Sequence, residues 1–63
     1  MKFNVHLKGI DGGNWGEGNW DFLPRIGEEI RIIGFRCVVD NIIYNLQQGS
    51  SNITDVDMVL RVK

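Results

Sequence analysis

Apolar and polar residues alternate along both ends of the chain. At the N-terminus, residues 2–10 place Phe3, Val5 and Leu7 on one side of an extended backbone. The other side is polar and carries Lys2, Asn4, His6 and Lys8. Because successive side chains of a strand point to opposite faces, this pattern predicts a β-strand with one buried face. Residues 54–63 repeat the pattern and predict the last strand, with these apolar residues inside: Val56, Met58, Leu60 and Val62.

The middle of the chain predicts two further strands. Residues 28–33 place Ile30 and Ile32 on one face, and Gly34 marks a tight connection. A long third strand follows, from Phe35 to Leu46. Between the first two strands, residues 20–23 are a short extended piece, and Pro24 to Gly27 reads as a turn. Residues 47–52 are polar and predict a loop.

The long strand changes phase halfway along its length. Its first apolar set is Phe35, Cys37 and Val39, and its second is Ile42, Tyr44 and Leu46, which has the opposite parity. One extra residue near Asp40-Asn41 brings all six side chains to the same face. The pattern therefore predicts a β-bulge at this point, which also bends the strand sharply.

Residues 11–19 are rich in glycine and contain the near-repeat Gly-Asn-Trp at a spacing of five. Five glycines lie between Gly9 and Gly18, a density that disfavours regular structure. We expect a long loop or the loose tip of a hairpin here.

The composition favours an all-β protein. The chain has eight Ile, six Val and eight Gly but no Ala, and β-branched residues are the best strand formers. We therefore predict a small, strongly bent antiparallel sheet of about four to six strands, closed into a barrel.

Length, charge and cysteine content exclude several classes of protein. With 63 residues the chain is a single domain, 1–63, with a marginal core. One Cys and one His provide neither an internal disulfide nor a four-ligand zinc site, and we expect no cofactor. The net charge of −1 creates no general attraction to nucleic acid or membrane. Without a signal-peptide pattern or a long apolar run, we expect a soluble cytoplasmic protein.

Residues 23–62 resemble small SH3-like barrel proteins in the order of their elements. The resemblance lies in Leu-Pro-Arg-Ile-Gly-Glu-Glu-Ile, starting at Leu23, and in the long strand that starts at Phe35. Such proteins are common among uncharacterised bacterial, phage and mobile-gene-cassette products. The resemblance implies a closed SH3-like barrel and no active-site residues. Plasmid-borne type II dihydrofolate reductases share that fold, but their Val-Gln-Ile-Tyr stretch is absent, since this chain has Ile-Ile-Tyr-Asn from Ile42.

Two tryptophans are the main candidates for binding a partner. Trp15 and Trp20, with the neighbouring Asn14 and Asn19, lie in or beside the glycine-rich segment. A loop that presents tryptophan offers the aromatic surface that dominates binding hot spots. Alternatively, one indole plugs an end of the barrel as part of the core.

Metal, nucleotide and catalytic sites find little support. The acidic and amide residues near the glycines lack the spacing of a calcium loop, and no Lys-Ser/Thr pair follows the glycines to bind phosphate. His6 lies on the polar side of its strand without a second catalytic partner. Cys37 alternates with apolar residues and is expected to be buried.

Three arginines form the candidate nucleic-acid surface. Arg31, Arg36 and Arg61 can align across neighbouring strands, and small barrels bind single strands with such cations and aromatic side chains. Interleaved acidic residues favour cross-strand ion pairs instead.

Four aliphatic residues remain outside the predicted core. Ile33, Val38, Ile43 and Val59 are candidates for an apolar outer face that forms a homo-oligomer, with a dimer favoured. We therefore predict a non-catalytic binding module that self-associates through this face and recognises a protein or small ligand with its Gly-Trp loop. The alternatives are a nucleic-acid-binding barrel and an oligomeric enzyme with a cleft shared between subunits.

Overall fold

The five strands follow the alternation of apolar and polar residues. The computed structural model describes residues 2–46 and 53–63, which contain no helix. The strands are β1 (Lys2–Gly9), β2 (Asn14–Trp20), β3 (Glu29–Ile32), β4 (Phe35–Asn45) and β5 (Ile53–Val62). The all-β prediction is confirmed. The predicted loop at 47–52 lies outside the described residues. No helix that could cross a membrane occurs in the described part of the chain.

The strand β2 corrects the prediction for the glycine-rich segment. Residues 14–20 form a regular strand that pairs antiparallel with β1, so the predicted loop at 11–19 was wrong over most of its length. The register shifts opposite Leu7 and Lys8, which leaves Trp15 as an extra, bulged residue. Pairing with the strongly alternating β1 outweighs the low strand propensity of the two glycines in β2.

The sheet is mixed, whereas a purely antiparallel sheet was predicted. The strand order is β2-β1-β5-β4-β3, and the central pair, β1 and β5, runs parallel. The chain leaves β2 at one edge and re-enters at β3 on the other, through residues 21–28. Alternation fixes which face a residue occupies but leaves the choice and direction of the neighbouring strand open, which is why this feature could not be predicted.

The barrel is open, and in this respect the prediction of closure was wrong. The sheet curls through 206°, and β2 and β3 are its two edges, which pair with no other strand of the described residues. No Cα atom of β2 lies within 8 Å of one in β3. The described sheet therefore encloses its concave face only partly and leaves a gap between its two edges.

The core lies on the concave face. Its buried residues come from three strands, β1, β4 and β5: Val5, Leu7, Cys37, Val39, Val56, Met58 and Leu60. The predicted bulge is confirmed, because Asp40 is skipped between the pairs Val39–Leu60 and Asn41–Val59. The bulge places Cys37 and Val39 on the same face as Ile42, which packs against the core.

Three of the six residues that the bulge gathers stay largely exposed. Phe35, Tyr44 and Leu46 are 59%, 53% and 82% exposed, although burial was predicted for all six. They lie toward the two ends of β4, where an open sheet provides no opposite wall. Tyr44 keeps one edge-on ring contact with Phe3, at 6.5 Å between centroids.

Two tight turns frame β3. The turn before it spans Arg25 to Glu28, with the Glu28 amide donating to the Arg25 carbonyl and Gly27 at a φ of 94°. It is centred on Ile26 and Gly27 and so lies one residue beyond the predicted turn. After β3, the two-residue hairpin Ile33-Gly34 has positive φ at both positions, 49° and 82°.

Candidate functional site

The bulge in β2 brings both tryptophans to the concave face. Residues five apart on an unbroken strand point to opposite faces. The extra residue at Trp15 cancels that difference, and both indoles pack against the edge of the core. The two tryptophans of the Gly-Asn-Trp near-repeat therefore lie on the same face of the sheet. Each tryptophan is half-buried, so each is part of the core and also part of an accessible surface.

A glycine lies under each indole. At Gly9 an ideal Cβ atom would lie 3.0 Å from Trp15 Nε1, and at Gly18 it would lie 3.2 Å from Trp20 Nε1. A Cβ atom at Gly18 would require the Trp20 indole to shift by a few tenths of an ångström, and one at Gly9 would meet both the Asp11 carboxylate, at 2.7 Å, and the Trp15 indole. The glycines of the segment therefore hold the tryptophans close to the backbone, a packing of aromatics on glycine known from other sheets.

An apolar groove lies at the Ile33-Gly34 end of the half-barrel. It has a volume of about 350 Å³. Its walls are Trp15 from β2, Ile32 from β3, the exposed Ile33 and Phe35, and Val62 from β5.

The second groove adjoins the first at Ile32 and has a volume of about 370 Å³. It is bounded by Trp20 and by Ile30 from the two edge strands. The segment that follows β2 supplies Asp21, Phe22 and Pro24, and Arg31 closes the rim. We call the two grooves together the seam, because they lie between β2 and β3 and open along the gap in the barrel.

Backbone groups also line the seam at its β3 edge. The Val39 amide donates to the Glu28 carbonyl at 2.9 Å, so the even-numbered residues of this segment bond to β4. Hydrogen bonds alternate in antiparallel pairs, and the amides and carbonyls of Glu29 and Arg31 therefore point away from β4, toward the free edge. The site thus combines apolar side chains with unpaired donors and acceptors.

The other candidates near the tryptophans lie on the convex face. Asn14 is opposite Lys8 and accepts a hydrogen bond from the Gly16 amide, whereas Asn19 is opposite Asn4. His6 pairs across the strands with Glu17, at 3.5 Å from Nδ1 to Oε2. These polar groups lie on the face opposite the seam.

The three candidate arginines come together on the convex face near the β3 edge. Across strands β3, β4 and β5, Arg31 is opposite Arg36, which is next to Lys63. In the adjacent cross-strand row on the same face, Glu29 is opposite Val38, which is opposite Arg61. Two rows thus carry four cations and one carboxylate. Glu29 accepts hydrogen bonds from Arg36 at 3.0 Å and from Lys63 at 2.7 Å.

This ion-pair cluster shifts the ionisation of its members. The Arg36 guanidinium, and after it the Lys63 ammonium, hold the pKa of Glu29 at about 2, below its ordinary value of 4.5. The same hydrogen bond raises the pKa of Arg36. Arg31 has no such partner, because no carboxylate of the described residues lies within ion-pair distance of it.

Three of the four predicted oligomer residues have polar residues directly opposite them in the sheet. Val38, Ile43 and Val59 lie on the convex face, but their direct cross-strand neighbours on the β4–β5 pair are Arg61, Asp57 and Asn41. Ile33 lies apart, at the tip of the β3–β4 hairpin. Of the four, only Ile33 borders the seam.

Several residues of the seam were missed as candidates by sequence reasoning. Ile30 and Ile32 were predicted to share one face, Phe35 and Val62 were predicted to be buried although they are 59% and 51% exposed, and Phe22 and Pro24 drew no functional interpretation. The run Trp-Asp-Phe-Leu-Pro from Trp20 was the available signal, since it places large apolar residues beside a proline that cannot lie within a central strand.

The described residues contain no group of three or more His, Cys, Asp or Glu side chains arranged to hold a metal ion. Comparison with known proteins found no matching family model, no similar curated protein and no similar solved structure. The resemblance to SH3-like barrels therefore stays a prediction.

Proposed function

We propose that this chain is a non-catalytic binding module that takes an extended segment of a protein partner into the seam. One observation carries the proposal, namely that apolar grooves with two tryptophans lie between two free strand edges. Extended peptides commonly bind to such edges, with backbone hydrogen bonds for affinity and side-chain pockets for specificity.

The exposed apolar residues of the seam support this function. Phe22, Ile33 and Phe35 are 78%, 83% and 59% exposed. Large apolar side chains gathered around a groove are typical of interaction sites, whereas singly scattered ones need no explanation. Trp15 and Trp20 supply rigid aromatic anchors that are already held in place by the core, which keeps the entropy cost of binding low.

The test is selection of ligands from a phage-displayed library of random linear peptides. We expect enrichment of peptides with apolar residues at alternate positions. Phe22→Ser and Phe35→Ser should each weaken the binding of a selected peptide by about tenfold, the loss typical of an interface hot spot. Both residues are exposed, so the fold should survive their replacement.

Leu46→Ser is the matched control, because Leu46 is 82% exposed and lies outside both grooves. Circular dichroism would verify the fold of each variant. Failure to enrich any peptide, or equal binding by wild type and both seam variants, would overturn the proposal.

Nucleic-acid binding is the second candidate, favoured by the gathering of Arg31, Arg36, Arg61 and Lys63. Single-strand binding usually combines cations with aromatic side chains on one surface. Here the tryptophans lie on the concave face, and of these four cations only Arg31, at the rim of the second groove, lines the seam. Fluorescence anisotropy with a labelled single-stranded oligonucleotide over a salt series is the test, since phosphate contacts make affinity fall steeply with salt.

A further inference from the structure

We propose that the free edge of β3 pairs with a partner segment in which one acidic residue lies between two apolar residues. The inference rests on the proposed function, because the two apolar side chains enter the seam. It adds which edge of the sheet the partner pairs with and the charge of the partner.

The backbone of β3 defines where such a segment lies. The amides and carbonyls of Glu29 and Arg31 face the free edge, so a new strand forms its hydrogen bonds with these two residues. Side chains opposite Glu29 and Arg31 then lie on the convex face. Side chains opposite Ile30 and Ile32 lie on the concave face, beside the two grooves.

The charge of the edge selects the partner's central residue. Arg31 faces Arg36 across the strands and forms no ion pair within 4.0 Å with a carboxylate of the described residues. Directly opposed like charges are unfavourable, whereas opposed unlike charges stabilise a sheet. The ion-pair cluster at this edge contains four cations and one carboxylate. An acidic side chain opposite Arg31 therefore supplies a counter-charge to this cluster.

The edge strand β2 is a poorer receptor for the same segment. The bulge at Trp15 interrupts its pairing with β1. The centre of β2 is the stretch Gly16-Glu17-Gly18, which has two glycines and one acidic residue. Bulges and charged residues are the usual means by which proteins block edge pairing. The described part of β3 is regular from Glu29 to Ile32.

The charge also disfavours a second copy of the chain as the occupant. Pairing β3 with its own copy can place Glu29 opposite Arg31, but it also doubles the number of uncompensated cations at the interface. An acidic segment lowers that number instead. Electrostatic complementarity of this kind governs partner choice more than it governs affinity.

The test compares two synthetic peptides at low ionic strength. One is Ser-Thr-Val-Glu-Val-Thr-Ser, and the other has Lys in place of Glu. We expect wild type to prefer the Glu peptide by about fivefold, the ratio that one favourable cross-strand pair provides. The variant Arg31→Glu should reverse the preference. Arg61→Glu should change it by less than about twofold, because Arg61 lies on the same face but two strands from the edge.

Amide hydrogen exchange locates the bound peptide. The Glu29 and Arg31 amides should become protected by the Glu peptide, while the amides of β2 should not change. Equal affinity for the two peptides, or protection of β2 instead of β3, would overturn the inference. The inference would also fail if the free protein were a dimer in which the Glu29 and Arg31 amides are already protected. It would fail as well if an oligonucleotide displaced the peptide and left these two amides unprotected.

The same experiment separates this inference from the proposed function. If Phe22→Ser weakens both peptides and neither is preferred, the seam binds extended segments but Arg31 does not select them. If neither peptide nor any displayed peptide binds, the proposed function itself is wrong.

Discussion

At the scale of single residues, Ile33 is in a backbone conformation that isoleucine rarely adopts. Its φ of 49° is in the left-handed region, where β-branched residues are strained and Asn or Gly is usual in a two-residue hairpin. The side chain is 83% exposed and borders the first groove. Burial within the chain therefore does not offset the strain, whereas a partner in the groove would bury this side chain.

Replacement of Ile33 by Asn should make the protein more stable. Relief of the left-handed strain should raise the free energy of unfolding by about 1 kcal/mol. Urea denaturation of wild type and variant measures the difference. Leu46→Asn is the control, since Leu46 is equally exposed and has no positive φ. A variant at Ile33 that is less stable than wild type would show that the hairpin does not carry this strain.

The ion pairs of Glu29 make a second prediction, on pH dependence. Because the folded-state pKa of about 2 is below the ordinary 4.5, ionised Glu29 stabilises the fold above pH 4.5. This contribution is lost as the pH falls from 4.5 toward 2. Glu29→Gln should therefore flatten the fall in stability over that range, as measured by thermal unfolding at successive pH values.

Salt provides the check on this prediction. Glu29 and its two cationic partners are accessible to solvent, so high salt should reduce the difference between wild type and Glu29→Gln. Identical pH profiles for the two proteins at low salt would contradict the assigned ion pairs.

At the scale of elements, two β-bulges decide which side chains share the concave face. In β4 the bulge at Asp40 aligns Cys37 and Val39 with Ile42, and in β2 the bulge at Trp15 aligns Trp15 with Trp20. Each bulge compensates for an odd spacing in the sequence. The core and the seam therefore both depend on an extra residue in a strand.

Deletion of Asp40 should abolish the native fold. Without the extra residue, either the Cys37 and Val39 half or the Ile42 half of β4 must turn outward, and each fully exposed apolar side chain costs about 1.5–3 kcal/mol. Asp40→Ala keeps the extra residue and should change stability by less than about 1 kcal/mol. Circular dichroism and urea unfolding distinguish these outcomes. A deletion variant as stable as Asp40→Ala would mean that the strand does not need its bulge.

At the scale of the whole molecule, the incomplete curl of the sheet creates the site. A closed barrel would cover Ile30, Ile32 and both tryptophans and would leave no free edge. Because the sheet stops at 206°, these side chains are half-buried and the β3 edge stays open. Core and candidate site are thus two zones of one concave surface.

Self-association of the chain stays a prediction, and the structure indicates where it should be sensitive. If copies associate, Phe35→Ser should weaken association more than Ile43→Ser, because Phe35 borders a continuous apolar groove. Ile43 is opposite the carboxylate of Asp57 instead. Sedimentation equilibrium of the two variants measures the effect. A larger loss with Ile43→Ser would place the interface on the convex face.

Much of the fold followed from local patterns. The strands β1, β3, β4 and β5, the inward position of Cys37 and the bulge at Asp40 were all predictable. Parity and β-branched composition depend only on near neighbours in the chain. The strand β2 was missed for the complementary reason, since its formation depends on pairing with β1 and not on its own glycine-rich sequence.

The sequence by itself determined that this is an all-β chain, which faces its strands bury and where the longest strand must kink. Only the tertiary structure decided that β1 and β5 run parallel, that the sheet stops short of closure and that both tryptophans border the resulting gap. The physical reason is that alternation specifies the face of each residue, whereas strand partners, curvature and free edges arise from contacts between residues far apart in the chain.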